Sequence, residues 1–465
     1  MKRYYYLLPL LLFFIISCKE EINNPTDSGT DTGTPGIEAQ YELYFEKDVC
    51  AQRRKDLLAN LPDNAMTIIT TAPAAVIYGG TNTLFRPAPT FYYLTGFYEP
   101  NAVAVIRKKR TDLTKVELIM FVERKDNIQK YGPEGAVSFF GADSAYEFTN
   151  FIPMMKKYLG QGYYQSIYAN FSDNQSIYTS LTINCSSIPA VNIVTGYVNR
   201  LRLVKSANEI TAIRRSTAIT TGAFTQSFTL VRPGKYEYDV ANLFQNIRTL
   251  NKSTGDAFLP IVASGPNINI IHYFDNTRQM QSGELVMIDY GTEHGFYATD
   301  ITRTLPVNGK YSEKQKVIYE IVRKTHEAII SAARPGVTFK QLDDLFYQMT
   351  IDGLLEKGII TGTRNEIISS RRFRQYIPAL LGHPVGLDVH DPSPADASGS
   401  VTLAKNMVYA FEPHIYLSSG DQTVNPEYWE VSVRIEDTIL ITENGCEVLS
   451  ANLPYTFTEI ENRMK

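Results

Sequence analysis

The chain has 465 residues, 44% of them apolar and 20% charged, which is room for two or three domains with a large core. A net charge of -4 with no basic stripe excludes a nucleic-acid surface. Thirty tyrosines against one tryptophan carry no functional meaning of their own.

Residues 1–17 have the form of a signal peptide. Lys2 and Arg3 give a basic start, and Tyr4–Ile16 form an apolar segment too short to span a bilayer. The segment ends Ile15-Ile16-Ser17-Cys18, which resembles a bacterial lipobox with Cys18 as the lipid-modified first residue. An ordinary signal peptide with a chance cysteine is the alternative. Residues 18–38, rich in Ser, Thr, Gly, Asp and Pro, cannot bury a face and are expected to be a flexible tether. Lys19-Glu20-Glu21 is similar to the acidic surface-export signals of some Gram-negative lipoproteins. The expected location is the bacterial cell envelope, with a lipid anchor in the outer membrane and either the periplasmic or the outer face. The remaining Cys50, Cys185 and Cys446 are odd in number and widely spaced, so they form neither a disulfide scaffold nor a thiolate metal site.

Residues 39–200 show an α/β pattern. Asp48–Leu61 is charged and helix-like, while Ala65–Tyr78, Ala102–Ile106 and Val116–Val122 have strand character. This region holds no nucleophile motif, no phosphate loop and no histidine, which places catalysis elsewhere.

Residues 205–465 open on a capping box, Ser206-Ala207-Asn208-Glu209, followed by apolar residues at helical period. That helix is expected to stop at Arg232-Pro233-Gly234. A similar unit starts at Ser312 and stops at Arg334-Pro335-Gly336. Each turn is followed at equal distance by Leu-Phe, at Leu243-Phe244 and Leu345-Phe346. Two such units predict an internally duplicated α+β domain, each half a sheet backed by helices.

Within the first half, Glu284–Thr304 carries Asp289 at the end of an apolar strand, a Gly-bounded turn from Gly291 to Gly295, and Asp300 on a second strand. Ionised carboxylates among apolar residues are costly without a partner. Extended, the stretch between them would span roughly 35 Å, so only a hairpin brings both to one site. A shared cation explains the pair, and two ordinary strand-end aspartates explain it as well.

All six histidines lie after residue 270. His272, His383 and His390 stand beside strand or Gly-rich signals, whereas His294, His326 and His414 fall on an expected turn, helix face and loop. Glu412 ends the apolar run Val408–Phe411. Alternation in Val431–Glu436 puts Arg434 and Glu436 on one face, which alone would suit a solvated strand. Four carboxylates with one imidazole suit Mn²⁺, Co²⁺, Zn²⁺ or Fe²⁺. Their charge balances two divalent cations and leaves these able to acidify a bridging water, which points to a dinuclear hydrolase.

The ordered set Asp289, Asp300, His383, Glu412 and Glu436 closely resembles the metal ligands of the pita-bread metallopeptidases, family M24, which include aminopeptidase P and prolidase. The strings MIDYG, TDITRT, GLDVHD, the EP of FEPHIY and RIED agree with that family. Arg53–Leu58 and Phe91–Pro100 are similar to the first domain of aminopeptidase P. The resemblance implies a C-terminal duplicated α+β pita-bread domain preceded by a smaller α/β creatinase-N-like domain. It implies a metallo-aminopeptidase releasing the first residue of peptides with proline second. Two divalent ions, with Mn²⁺ expected and Co²⁺ or Zn²⁺ also suited, would be held by Asp289 on one side, His383 and Glu412 on the other, with Asp300 and Glu436 bridging. Glu412 would shuttle the proton, His272 and His390 would hold the substrate and its oxyanion, and Arg434 would orient the pocket. The partners implied are proline-containing peptides and, through Cys18, a membrane; a homo-oligomer is left open. The family's usual second histidine is replaced here by Ala379, and His414 stands where glycine is common, so His414 either narrows the pocket or replaces the lost imidazole. The rival readings are an Xaa-Pro dipeptidase, a non-catalytic peptide-binding lipoprotein, and metal-free chemistry on the same fold.

Overall fold

The computed structural model describes residues 46–73, 76–77, 81–82, 85–124, 131–394 and 400–465. The expected signal peptide, Cys18 and the tether lie outside the described residues.

The first half of the chain builds one six-stranded sheet. Its spatial order is Ser144–Glu147, Asp112–Val122, Val103–Lys109, Ala65–Thr70, Ser166–Asn170 and Ala190–Ile193. Strand alternation sends Met66, Ile68, Val103, Val105 and Ile119 to one core, under the helices Phe151–Leu159 and Gln175–Asn184. Ile69, Ala104, Ile106, Leu118 and Met120 point the other way. They meet the helix Lys47–Ala59 and, in the same cluster, Phe296, Tyr297, Val385 and Val408 of the second half. A sheet covered on both faces accounts for the continuously buried runs at Ala65–Ile69 and Ala102–Ile106. Residue 200, the expected end of this domain, lies inside the helix Thr195–Leu203, whose Val198 and Leu203 are buried.

The helix Ala207–Leu230 opens as its sequence requires. Ser206 Oγ accepts the Glu209 N–H, and the Glu209 carboxylate accepts the Ser206 N–H. The helix Glu313–Ala332 repeats the arrangement with Ser312 and Gln315. Both stop before an Arg-Pro-Gly turn whose glycine has positive φ, 86° at Gly234 and 87° at Gly336, a conformation a Cβ would oppose. The helices Glu237–Leu250 and Phe339–Glu356 follow, and Phe244 and Phe346 are fully buried in one shared core. The two-helix repeat in the sequence is therefore a structural repeat.

Each half then adds three corresponding antiparallel strands, and the second half a fourth at Cys446–Val448. In the first they are Ile261–Ser264, Leu285–Tyr290 and Ile301–Pro306; in the second, Gly382–Pro384, Val408–Phe411 and Asp437–Ile441. Between its second and third strands each half makes a short excursion that returns as a two-stranded pair. These pairs are Thr292–His294 with Tyr297–Ala298, and His414–Ile415 with Val433–Arg434.

The stretch Gly291–Gly295 is thus not the turn its glycines suggest. Thr292–His294 pairs on both sides, with Tyr297–Ala298 and Gly255–Asp256, and the reversal falls at Gly295-Phe296, with φ of 57° and 67°. Gly291 serves a close approach instead, since a Cβ there would sit 1.7 Å from the Thr299 carbonyl oxygen. His294, expected on a turn, is a buried strand residue, and His414, expected on a loop, begins a buried strand. The three cysteines at 50, 185 and 446 are free thiols.

Candidate metal centre

The two sets of strands bring their acidic residues to one place. Asp289 is the penultimate residue of Leu285–Tyr290, opposite Thr302, and Asp300 stands one residue before Ile301–Pro306 rather than within it. Glu412 follows Val408–Phe411 directly, Glu436 precedes Asp437–Ile441 directly, and His383 sits mid-strand opposite Ala410. Ligand atoms of Asp289, Asp300 and Glu436 lie within 4.8 Å of one another, as do those of His383, Glu412 and Glu436, and those of Asp300, His383 and His390. Glu436 is common to the first two groups, and Asp300 reaches His383 Nε2 at 3.5 Å. All five expected ligands therefore converge.

Their surroundings are dry. Asp289, Asp300 and Glu436 are 7%, 5% and 2% exposed. Burial, then the nearby Asp289 and Glu412, pushes Asp300 well above the usual carboxylate range. Burial and the neighbouring Asp300 do the same to Glu436, and burial raises Glu412. Arg434 is the cation among them. Its Nη2 binds Asp289 Oδ2, with Nη1 3.6 Å from Glu412 and Nε 3.9 Å from Glu436. Its position on the strand Val433–Arg434, opposite His414, turns the expected polar face inward, so the solvated-strand alternative does not hold.

One guanidinium against four carboxylates leaves three uncompensated negative charges if all ionise. Asp289 Oδ1 and Asp300 Oδ1 are buried with no hydrogen-bond partner among the described residues. Unpaired carboxylate oxygens aimed at a common point, with one imidazole nitrogen beside them, fit hard divalent cations.

The ligands line a cavity of about 190 Å³, together with His272, His390 and Arg434. A second cavity of about 210 Å³ meets it along Asp289, Asp300, His272 and His390 and is walled by Phe258, Ile261, Phe274 and Val389. A larger groove of about 880 Å³ lies between Glu313–Ala332 and Phe339–Glu356, lined by a mixture of charged and apolar residues, and shares none of these residues. His272 and His390 are exposed at the mouth, and the His390 ring lies 4.0 Å from that of His383, centroid to centroid. Desolvation, His383 and His272 together push His390 down to about 4.

Ala379 and His414 face each other across the floor. The Ala379 N–H donates to His414 Nε2 at 3.4 Å, and His414 Nδ1–H donates to the Glu412 carbonyl at 2.7 Å. Burial pushes the imidazole down to about 3, so it is neutral. Both ring nitrogens are committed to backbone, so His414 acts as a strut that narrows the cavity, and the idea that it replaces a lost substrate-binding imidazole is not supported.

Tyr416, just past the strand His414–Ile415 and with its ring 5.4 Å from that of His414, also lines the cavity and gave no signal in the sequence. Burial pushes its hydroxyl up to about 12, and it accepts a hydrogen bond from Arg434 Nη1 at 3.2 Å. The apolar walls Phe258 and Val389 gave no signal, because they come from separate loops. From the first half of the chain, Arg202 binds Asp388 at 2.6 Å and Asp391 at 2.5 Å, and Lys205 binds Asp391 at 3.1 Å. These ties fix the loop that carries His390.

Residues 211–443 match the model of "Metallopeptidase family M24", and residues 50–168 match that of "Aminopeptidase P, N-terminal domain". The chain is 32% identical over 437 residues to the Xaa-Pro aminopeptidase of Haemophilus influenzae, covering 92% of this chain and 100% of that one. Among solved structures it is similar to Pseudomonas aeruginosa aminopeptidase PepP, with TM-score 0.84, 28% identity and coverage of 91% and 98%. It is also similar to Escherichia coli aminopeptidase P bound to the inhibitor Pro-Leu, with TM-score 0.83, 30% identity and coverage of 90% and 98%. The fold is the pita-bread α+β domain preceded by the aminopeptidase P N-terminal domain, and the chain belongs to metallopeptidase family M24.

Proposed function

We propose that this chain is a metal-dependent Xaa-Pro aminopeptidase, removing the first residue from peptides with proline in second position. The observation that carries the reading is the pair of ligand groups sharing Glu436, with Asp289 Oδ1 and Asp300 Oδ1 buried and unpartnered among the described residues. Relatives at full length that bear the name Xaa-Pro aminopeptidase support the substrate class.

Asp289 would hold one ion, His383 and Glu412 a second, and Asp300 and Glu436 both. Two divalent cations against a net charge of -3 would leave the centre positive and would supply Lewis-acid chemistry for a carbonyl and a water. Mn²⁺ is the proposed native ion, since oxygen donors outnumber nitrogen in the set, and Co²⁺ or Zn²⁺ would also fit. Glu412, its carboxylate raised by burial, takes the water's proton and passes it to the departing proline nitrogen. His272 and His390 at the mouth orient the peptide and donate to the developing oxyanion. Arg434 keeps Asp289, Glu412 and Glu436 in register. A proline nitrogen carries no N–H, so the site needs no acceptor there, only a wall for the ring. Ala379 and the neutral His414 supply one.

The chain is further proposed to be an envelope lipoprotein, with residues 1–17 removed, Cys18 acylated and residues 18–38 as spacer. The apolar segment ending at Cys18 supports this. A Cys18→Ser variant that still partitions with membranes would refute it.

The activity is tested on a proline-second tripeptide and the matching Xaa-Pro dipeptide. The tripeptide is expected to lose its first residue. An enzyme that cleaves only the dipeptide is instead a prolidase, and cleavage of neither removes the peptidase reading.

A further inference from the structure

The tip of the loop that presents His272 gains little from packing. Ile270, Ile271 and Phe274 are 53%, 41% and 44% exposed, and His272 itself holds φ at 59°, a region that non-glycine residues occupy only when their surroundings demand it. What fixes this loop lies outside the metal centre.

Glu237, the first residue of the helix Glu237–Leu250, is fully buried. One carboxylate oxygen accepts the Ser264 N–H at 2.7 Å, the Ser264 hydroxyl at 2.7 Å and Asn267 Nδ2 at 3.2 Å. The other accepts the Tyr273 hydroxyl at 2.8 Å and the Arg278 N–H at 2.8 Å. These donors bracket His272 on both sides, and one belongs to its neighbour. The backbone adds a clasp, with Glu237 N–H donating to Arg278 O at 3.0 Å and Met280 N–H to Lys235 O at 2.8 Å. Asn276 pins the same loop to the strand Ile261–Ser264, accepting the Val262 N–H at 2.8 Å and donating to Pro260 O at 2.8 Å. Tyr273 is the loop's only buried aromatic, and its hydroxyl ends on Glu237.

A buried carboxylate that accepts this many bonds is specific to acceptor chemistry. An amide in its place would turn donors toward donors, leaving buried N–H groups unpaired. We propose that Glu237 is a positioning residue for substrate binding, acting through His272 by setting the one conformation of residues 264–278 that places the imidazole over the ligand cavity. This deepens the aminopeptidase reading and rests on it.

The test is a double-mutant cycle on metal-loaded full-length protein, with Glu237→Gln, His272→Ala and both together, reading kcat and KM on a proline-second tripeptide. Metal content and backbone hydrogen exchange over residues 264–278 are read in parallel. Glu237→Gln is expected to lower kcat/KM by at least about tenfold with metal content unchanged, and to add less than about twofold once His272 is alanine. Exchange of the loop amides should rise in Glu237→Gln. Tyr273→Phe, which removes one of the bonds, is expected to show a smaller loss of the same kind and serves if Glu237→Gln fails to fold. Equal losses with and without His272, or loop exchange unchanged in the variant, would overturn the proposal. A wild-type protein that cleaves no proline peptide would refute the aminopeptidase reading, while the exchange arm would still decide whether Glu237 sets the loop.

Discussion

Thr302 and Thr438 hold each other's carboxylate partner across the two halves of the domain. Thr302, two residues after Asp300, donates its hydroxyl to Glu436 Oε2 at 2.6 Å. Thr438, two residues after Glu436, accepts the Asp300 N–H at 3.0 Å and donates to the Asp300 carbonyl at 2.8 Å. The backbones also bridge directly, Thr302 with Glu436. The two residues assigned to reach both ions are thus crossed into one rigid unit.

Thr302→Val removes a single hydroxyl from that unit at nearly constant volume. Orienting groups behind metal ligands cost about 10–100-fold in affinity when lost. A metal titration should show a decrease of that order, with the melting temperature little changed. An unaltered affinity would mean Glu436 needs no such support.

Much of this centre was legible before the structure. Asp289 and Asp300 stand out because ionised carboxylates in apolar strands demand a partner, and the two Arg-Pro-Gly turns mark the repeat. Arg434 and Glu436 were ambiguous, because period-two alternation says which residues share a face and not whether that face meets water. His294 was misplaced since Gly291 looked like turn chemistry, when its role is to let Thr299 approach. Glu237 was invisible. A glutamate at a helix N-terminus is ordinary dipole complementarity, and its partners are distant in sequence.

His414 offers a test of specificity. His414→Gly deletes the strut between Ala379 and Glu412 and enlarges the cavity floor. The preference for proline over a larger cyclic imino acid in second position should fall several-fold, with metal content retained. A constant ratio of kcat/KM values would show that His414 does not bound the subsite.

Lys205 and Asp391 are each 1% exposed at the side chain, and Asp391 also binds Arg202. Burial alone would raise Asp391, yet Lys205 and Arg202 hold it below the usual carboxylate range. Lys205→Met leaves part of that buried charge uncompensated and should destabilise the fold by about 3 kcal/mol. Denaturant melts check this, and a change under about 1 kcal/mol would mean Arg202 suffices.

His294 predicts an acid limb. Burial, with Arg215 nearby, pushes it down to about 4 from an ordinary value near 6.5. Between those values the unfolded chain binds the extra proton, so stability falls as pH drops from 6.5 toward 4 and is level below. The full contribution is about 3 kcal/mol. His294→Gln should flatten that part of the stability–pH curve, and an unchanged slope would assign it to other groups.

Four carboxylates and one imidazole are proposed to hold two cations that the reaction requires. The most direct measurement strips the protein of metal, titrates Mn²⁺ back, and follows bound ions and hydrolysis of a proline-second tripeptide together. Hydrolysis is expected to vanish in stripped protein, to return on reloading, and to saturate at two ions per chain. Undiminished hydrolysis by stripped protein, or no uptake of any divalent ion, would contradict this assignment.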